Sequence, residues 1–230
     1  MQKQPAFNGF SAETIGFLRD LKANNNRDWF TQNKASYSEI LHPQASQFAG
    51  DVAQQLADLS GRAVNFKIFR IYRDVRFSKD KTPYNTHIHM SFWCGGHVAW
   101  FFALEPDEIL VGAGAMKLDN NTLSAYRVSV AQQEFGETLG DSVDALVKQG
   151  FRCNLPEMKR YPVGFTADHR HRDLLRHKSL TVWRTLDWKF ATSSLLASNV
   201  ANSFYDLLPF NDYLQSLLGE PNPVAGSQEK

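Results

Sequence analysis

The chain has 230 residues, 43% of them apolar and 21% charged, and a formal net charge of +1. That length supports one sizeable core, as a single domain or two tightly packed halves. The near-neutral balance argues against broad charge-driven binding to DNA or anionic membranes.

No apolar run approaches the roughly 20 residues that a bilayer span requires. The most apolar stretch, SFWCGGHVAWFFAL, is split by Gly95-Gly96. Cys94 and Cys153 are the only cysteines, with no C-x-x-C pair, which suits a reducing compartment. The opening MQKQPAFNGFSAETIGF lacks a basic region followed by an apolar run, so no signal peptide is read there. The expectation is a cytoplasmic protein with no nucleic-acid and no membrane partner.

Helices open the chain. Ser11 is placed to cap a helix with Ile15, Leu18 and Leu21 on one face. NNNRDWF interrupts it, and Asn25 or Asn26 caps a second helix carrying Phe30, Tyr37, Ile40 and Leu41. His42-Pro43 is expected to end that helix, because a residue before proline avoids helical geometry. A third helix runs from about Pro43 to Leu59, with Phe48, Val52, Leu56 and Leu59 inward and Gly61 as its stop. Trp29 and Phe30 are expected in the core.

Strand patterns follow. KIFRIYRDVRF alternates, with Phe69, Ile71, Val75 and Phe77 on one side and Arg70, Tyr72, Asp74 and Arg76 on the other; Arg73 falls on the apolar side. THIHMSFWC and HVAWFFALE flank a Gly95-Gly96 hairpin turn, and EILVGAGAM is a further strand. Such short turns make an antiparallel meander.

Later helices are read at DNNTLSAYRVSVAQQ and DSVDALVKQG, capped by Asp119 or Asn121 and by Asp141, with Gly150 as a stop. DHRHRDLLRHK looks helical, with Asp168 as its cap. His169, Asp173 and His177 would then share an exposed polar face. SLTVWRTLDW alternates as a strand, and two helices between Ser193 and Leu218 are separated near Pro209. Helices, then a meander, then helices make an α+β protein. One domain is expected over 1–218, with a breaker-rich disordered tail over 219–230.

The chemistry concentrates in one place. From Arg70 to Lys81, five cations (Arg70, Arg73, Arg76, Lys79, Lys81) face two anions (Asp74, Asp80), a local charge of five minus two, +3. Guanidinium forks match carboxylate or phosphate oxygens in pairs. Ser78, Thr82 and Tyr84 add hydroxyls, and SKDKTP must turn. On a half-buried strand these heads would converge on a pocket for a small anionic ligand. Its candidate residues are Arg70, Arg73, Asp74, Arg76, Ser78, Lys81 and Tyr84, with Arg127 on a later helix as a further anion contact. Were it an enzyme, Lys81 or Tyr84 would transfer a proton and Arg76 would stabilise developing negative charge. The alternative is a module without chemistry, whose Arg/Asp network locks helices to the sheet or receives an acidic partner.

Other constellations weigh less. His87 and His89 share a strand face two residues apart, and His97 across the hairpin could approach. No carboxylate or cysteine completes that spacing, so polar side chains on a sheet face is preferred and no metal ligand is assigned. GAGAMK has Gly112 and Gly114 but Lys117 where a third glycine belongs, so it is no dinucleotide fingerprint. Its glycines would let the backbone pass close to a ligand or another segment. No cofactor is indicated.

FRIYRDVRFSKDKTPYNTH resembles the core signature of a family of uncharacterised conserved proteins of bacteria and fungi, described as a domain of unknown function. TIGFLRDLKANNNRDWFTQNKASY resembles the family's opening, VGAGAMKLDNNTLSAYR its glycine turn and following helix, and YPVGFTADHRHRDLLRHKSL its later half. One departure is Asn85, where the family's pattern has lysine. The resemblance implies a shared fold over most of the chain and brings no activity, substrate or cofactor with it.

Overall fold

Ser11 does open the first helix. In the computed structural model, which describes residues 6–219, its hydroxyl accepts the Thr14 N–H at 3.1 Å and caps α1 (Ala12–Ala23). Ile15, Leu18 and Leu21 are buried on one face of it. Asn26 caps α2 (Arg27–Gln32) by accepting the Trp29 N–H. Phe30 is buried, and Trp29 is half-buried against Phe17 with ring centroids 5.6 Å apart.

The His42-Pro43 expectation fails. A π-helical turn (Ser36–Leu41) runs directly into α3 (His42–Ser60), and the His42 N–H donates to Tyr37 O, five residues back. Pro43 sits in the first turn of α3. Gly61, in the left-handed region at φ 69°, ends α3 as expected. Phe48, Val52 and Leu56 are fully buried, but Leu59 on the final turn is 43% exposed, against expectation.

Six strands follow, β1 (Asn65–Ile68), β2 (Ile88–Trp93), β3 (Ala99–Leu104), β4 (Ile109–Ala115), β5 (Arg152–Cys153) and β6 (Leu180–Leu186). They form an antiparallel sheet in the order β1-β2-β3-β4-β6-β5, with helices packed on it, an α+β fold. The turn joining β2 and β3 holds Gly95 and Gly96 at φ 108° and 81°.

The strand expected over KIFRIYRDVRF stops at Ile68. Beyond it only a single bridge, Tyr72 to Tyr84, is strand-like, and Phe77 is 96% exposed. The cause is local. Asp74 Oδ1 accepts the Arg76 N–H, so within the segment a side chain holds a backbone donor that a ladder would need, and past it Asp80 Oδ1 accepts the Thr82 N–H in the turn.

The remaining helices are α4 (Asn120–Ala131), capped by Asp119, α5 (Gln133–Lys148), α6 (Leu196–Asp206) and α7 (Leu208–Leu218). α5 starts well before the expected cap Asp141, which lies inside it. DHRHRDLLRHK is no α-helix: only a 3₁₀ turn (Arg172–Arg176) forms, and Asp168 caps nothing there. His169 and His177 are buried, not exposed; His169 Nε2 is 2.8 Å from Val130 O. The expected tail, Gly219 apart, lies outside the described residues.

The chain packs as two compact units, each discontinuous in sequence. One comprises Met1–Phe92, Phe101–Val111 and Thr185–Tyr205; the other comprises Trp93–Trp100, Gly112–Arg184 and Asp206–Lys230. The core of the first is aromatic: Phe48 meets Phe102 at 4.4 Å and Phe92 meets Phe204 at 5.3 Å between centroids. Each such ring contributes on the order of 2–3 kcal/mol by leaving water.

In the second unit, Tyr126 is fully buried and its hydroxyl donates to Leu174 O at 3.1 Å. Gly112 and Gly114 serve another chain segment there. A side chain at 112 would strike Val182 O and Trp183, and one at 114 would strike Leu180 O.

Candidate functional site

The cationic segment is a hairpin. Tyr72 and Tyr84 bridge its base, with Arg73 N–H donating to Pro83 O at 2.9 Å and Asn85 N–H to Ile71 O at 2.7 Å. Asn25 clamps it from the α1–α2 junction: its Nδ2 donates to Tyr84 O at 2.8 Å, and its Oδ1 accepts the Tyr84 N–H at 3.1 Å. Tyr84 is buried with its ring on Phe30, so it belongs to the core.

Arg73 is also part of the frame. Its guanidinium donates to Asp80 at 2.6 Å, to Thr82 O at 3.1 Å and to the Thr82 hydroxyl, and its side chain is 26% exposed. Lys81 Nζ donates to Val75 O at 3.0 Å and Arg76 O at 3.4 Å, closing the turn. Ser78 donates its N–H to Val75 O. Arg76 forms a two-pronged pair with Asp74, at 2.9 and 2.7 Å, and stays 77% exposed. Arg70 and Lys79 are exposed and have no ion-pair partner among the described residues.

The hydrogen bonds from Arg76 hold the Asp74 carboxyl down at about 2. The Thr82 N–H, then Arg73, do the same for Asp80. Arg127 belongs to a different unit from these residues. It lies on α4 of the second unit, touching Met158 Sδ at 2.9 Å with its guanidinium over Phe165.

Sequence reasoning missed a carboxylate. Glu105, just past β3, brings Oε1 to 2.9 Å from His89 Nε2 and 3.4 Å from His87 Nδ1. The two imidazoles stack with centroids 3.5 Å apart and planes 11° apart. His89 lies in β2 between buried Ile88 and Met90. The Glu105 N–H donates to Glu108 O at 2.8 Å, which fixes the turn that carries the carboxylate. Bonds from His87, then His89, keep Glu105 ionised down to about 2 against the opposing effect of burial.

The signal for this group was present in the sequence. Glu105 follows Gly96 by as many residues as His87 precedes it, nine each way, so a hairpin centred on Gly96 sets them opposite. His97, which the sequence placed within possible reach of the pair, is not in this cluster; its N–H donates to Gln215 Oε1 at 2.6 Å.

The second unit has a cavity of about 320 Å³ lined by Cys153, Asn154, Arg170, His171, Arg176 and His177, together with Asp144 and Asp173. Its charges cancel internally. Arg176 pairs with Asp173 at 2.9 Å, and Arg170 and His171 both hold Asp141. Burial pushes His177 below its ordinary value and so keeps the ring neutral. Burial also pushes the Cys153 thiol up to about 11, with the Glu157 carboxylate adding to the effect, so it is a poor nucleophile at neutral pH.

Among the described residues no helix is long and apolar enough to cross a membrane. No curated protein matches the chain. A family model matches residues 13–213, nearly the whole length, and the chain therefore belongs to the family described as conserved hypothetical protein, DUF2461.

Proposed function

We propose that this protein binds a small anionic ligand, carrying phosphate or carboxylate, on the outer face of the Arg70–Lys81 hairpin. The observation that carries this reading is the contrast between a pinned backbone and exposed cationic heads. Asn25 and the Tyr72–Tyr84 bridge fix the hairpin, while Arg70, Arg76 and Lys79 stand in solvent. The exposed Arg76–Asp74 pair is of the kind that contributes little in water, so an incoming anion can take over the Arg76 fork. The ligand-facing set is therefore Arg70, Arg76 and Lys79. Arg73, Lys81 and Tyr84 hold the frame. A site of such exposed heads binds weakly, with Kd on the order of 1 mM.

A second reading, that the Arg/Asp network is only a structural lock, is favoured by one observation: Arg73 is engaged by Asp80 and Thr82. The two readings separate in a thermal-shift titration with phosphate, sulfate and small carboxylates. Binding of the folded form raises the melting temperature. Under the proposal that rise disappears in Arg76→Ala, which keeps the wild-type melting temperature in anion-free buffer. Under the structural reading no anion shifts the wild type. We place the binding activity in the cytoplasm, in keeping with two cysteines that form no disulfide.

A further inference from the structure

We propose that His87 Nδ1, His89 Nε2 and the Glu105 carboxylate form a three-ligand site for a divalent first-row transition-metal ion. The inference is independent of the anion reading and uses different residues.

The donor set is two neutral-capable imidazoles and one carboxylate, a combination suited to zinc and to non-haem iron. Three protein ligands leave coordination positions open, to be filled by water or by an oxygen of an anionic ligand. Structural zinc sites are usually closed by four protein ligands, so an open three-ligand site suits chemistry or ligand binding better than a folding staple.

The geometry is close to what an ion demands. Ligand bonds of about 2.0–2.2 Å at a tetrahedral angle put neighbouring donor atoms roughly 3.4 Å apart. Glu105 Oε1 stands 3.4 Å from His87 Nδ1 and 2.9 Å from His89 Nε2, and all three donor atoms lie within 4.8 Å of one another. The imidazoles are stacked in nearly parallel planes, so one ring must turn out of the stack to aim both nitrogen lone pairs at the same ion.

Its support is rigid. His89 is a β2 residue with buried neighbours on both sides, His87 directly precedes that strand, and Glu105 directly follows β3, the strand beside β2. Sites carried by strands hold their geometry better than sites on loops. The side chains are 25%, 39% and 30% exposed, so an ion has an entry path and the ligands are still partly shielded.

A comparable grouping in the second unit, Asp141, Asp144 and His171, serves as the internal comparison. There Arg170 donates to the same Asp141 oxygen that a metal would need, and a fixed cation repels another. The His87–His89–Glu105 group has no ion pair to lysine or arginine among the described residues.

The test uses the full chain without a polyhistidine tag, stripped with chelator and kept in phosphate-free buffer. Zinc chloride is titrated calorimetrically, and cobalt(II) is followed by its visible absorption. The expected result is one saturable ion per chain. His89→Ala and Glu105→Gln should each weaken it at least about 100-fold, while Asp141→Asn and Arg76→Ala bind as the wild type does. Glu105→Gln preserves size and hydrogen-bonding capacity, and an unchanged melting temperature of its metal-free form shows that the fold survives. Absence of saturable binding in the folded wild type overturns the proposal. So does undiminished affinity in Glu105→Gln, or loss of the site in Asp141→Asn. Retention in Arg76→Ala keeps the outcome separate from that of the anion titration.

Discussion

The rings of Tyr84 and Phe30 lie stacked, with centroids 4.0 Å apart and planes 16° apart, and Asn25 satisfies both backbone groups of Tyr84. That junction, rather than the Arg/Asp pairs, ties the hairpin to the N-terminal helices. Tyr84→Ala should therefore cost about 3–5 kcal/mol, as for other buried aromatic deletions. Asn25→Ala strands one donor and one acceptor and should cost about 1–3 kcal/mol. Denaturant unfolding measures both, and Tyr84→Phe, which keeps the stack, should stay far closer to wild type.

Asp80, which ties Arg73 and the Thr82 N–H into the frame, is held at about 2 against an ordinary value of 3.8. A depressed carboxyl contributes stability that is complete above the unfolded value and is lost as pH falls towards the folded one. The hairpin should be unaffected between pH 5 and 8 and loosen between about pH 4 and 2. Limited proteolysis or hydrogen exchange across the segment, scanned with pH, reads this directly. In Asp80→Asn the hairpin should already be loosened at neutral pH, with a shallower further change on acidification.

Cys153, raised to about 11, should alkylate slowly at pH 8, and its rate should keep climbing with pH to about 11. The measurement is iodoacetamide labelling followed by mass spectrometry in a Cys94→Ser background. A rate that has already levelled off by pH 9 would show that burial does not suppress the thiolate.

Gly114 has φ 127° and faces Leu180 O, so a methyl group there meets both backbone strain and a carbonyl. Gly114→Ala should destabilise by about 2–4 kcal/mol. Gly61→Ala, with open space around the added methyl and strain only from its φ of 69°, should cost about 1–2 kcal/mol. Equal losses in the two variants would contradict the close approach of β4 to β6.

Patterns of short range were legible from sequence alone. Ser11, Asn26 and Asp119 cap the helices they were expected to cap, because an Asn, Asp or Ser oxygen reaches an N–H two or three residues ahead and needs no distant partner. The β2–β3 hairpin follows from Gly95-Gly96 for the same reason. Tertiary structure decided what depends on partners remote in the chain. KIFRIYRDVRF has the alternation of a strand, but alternation supplies no hydrogen-bond partner, and Asp74 holds the Arg76 N–H. His169 is polar and buried because Val130 O, 39 residues away, accepts its proton. Glu105 joined His87 and His89 only when β2 and β3 folded together: donor atoms 16 and 18 positions apart share a site through strand pairing, which residue spacing encodes only once the turn is known.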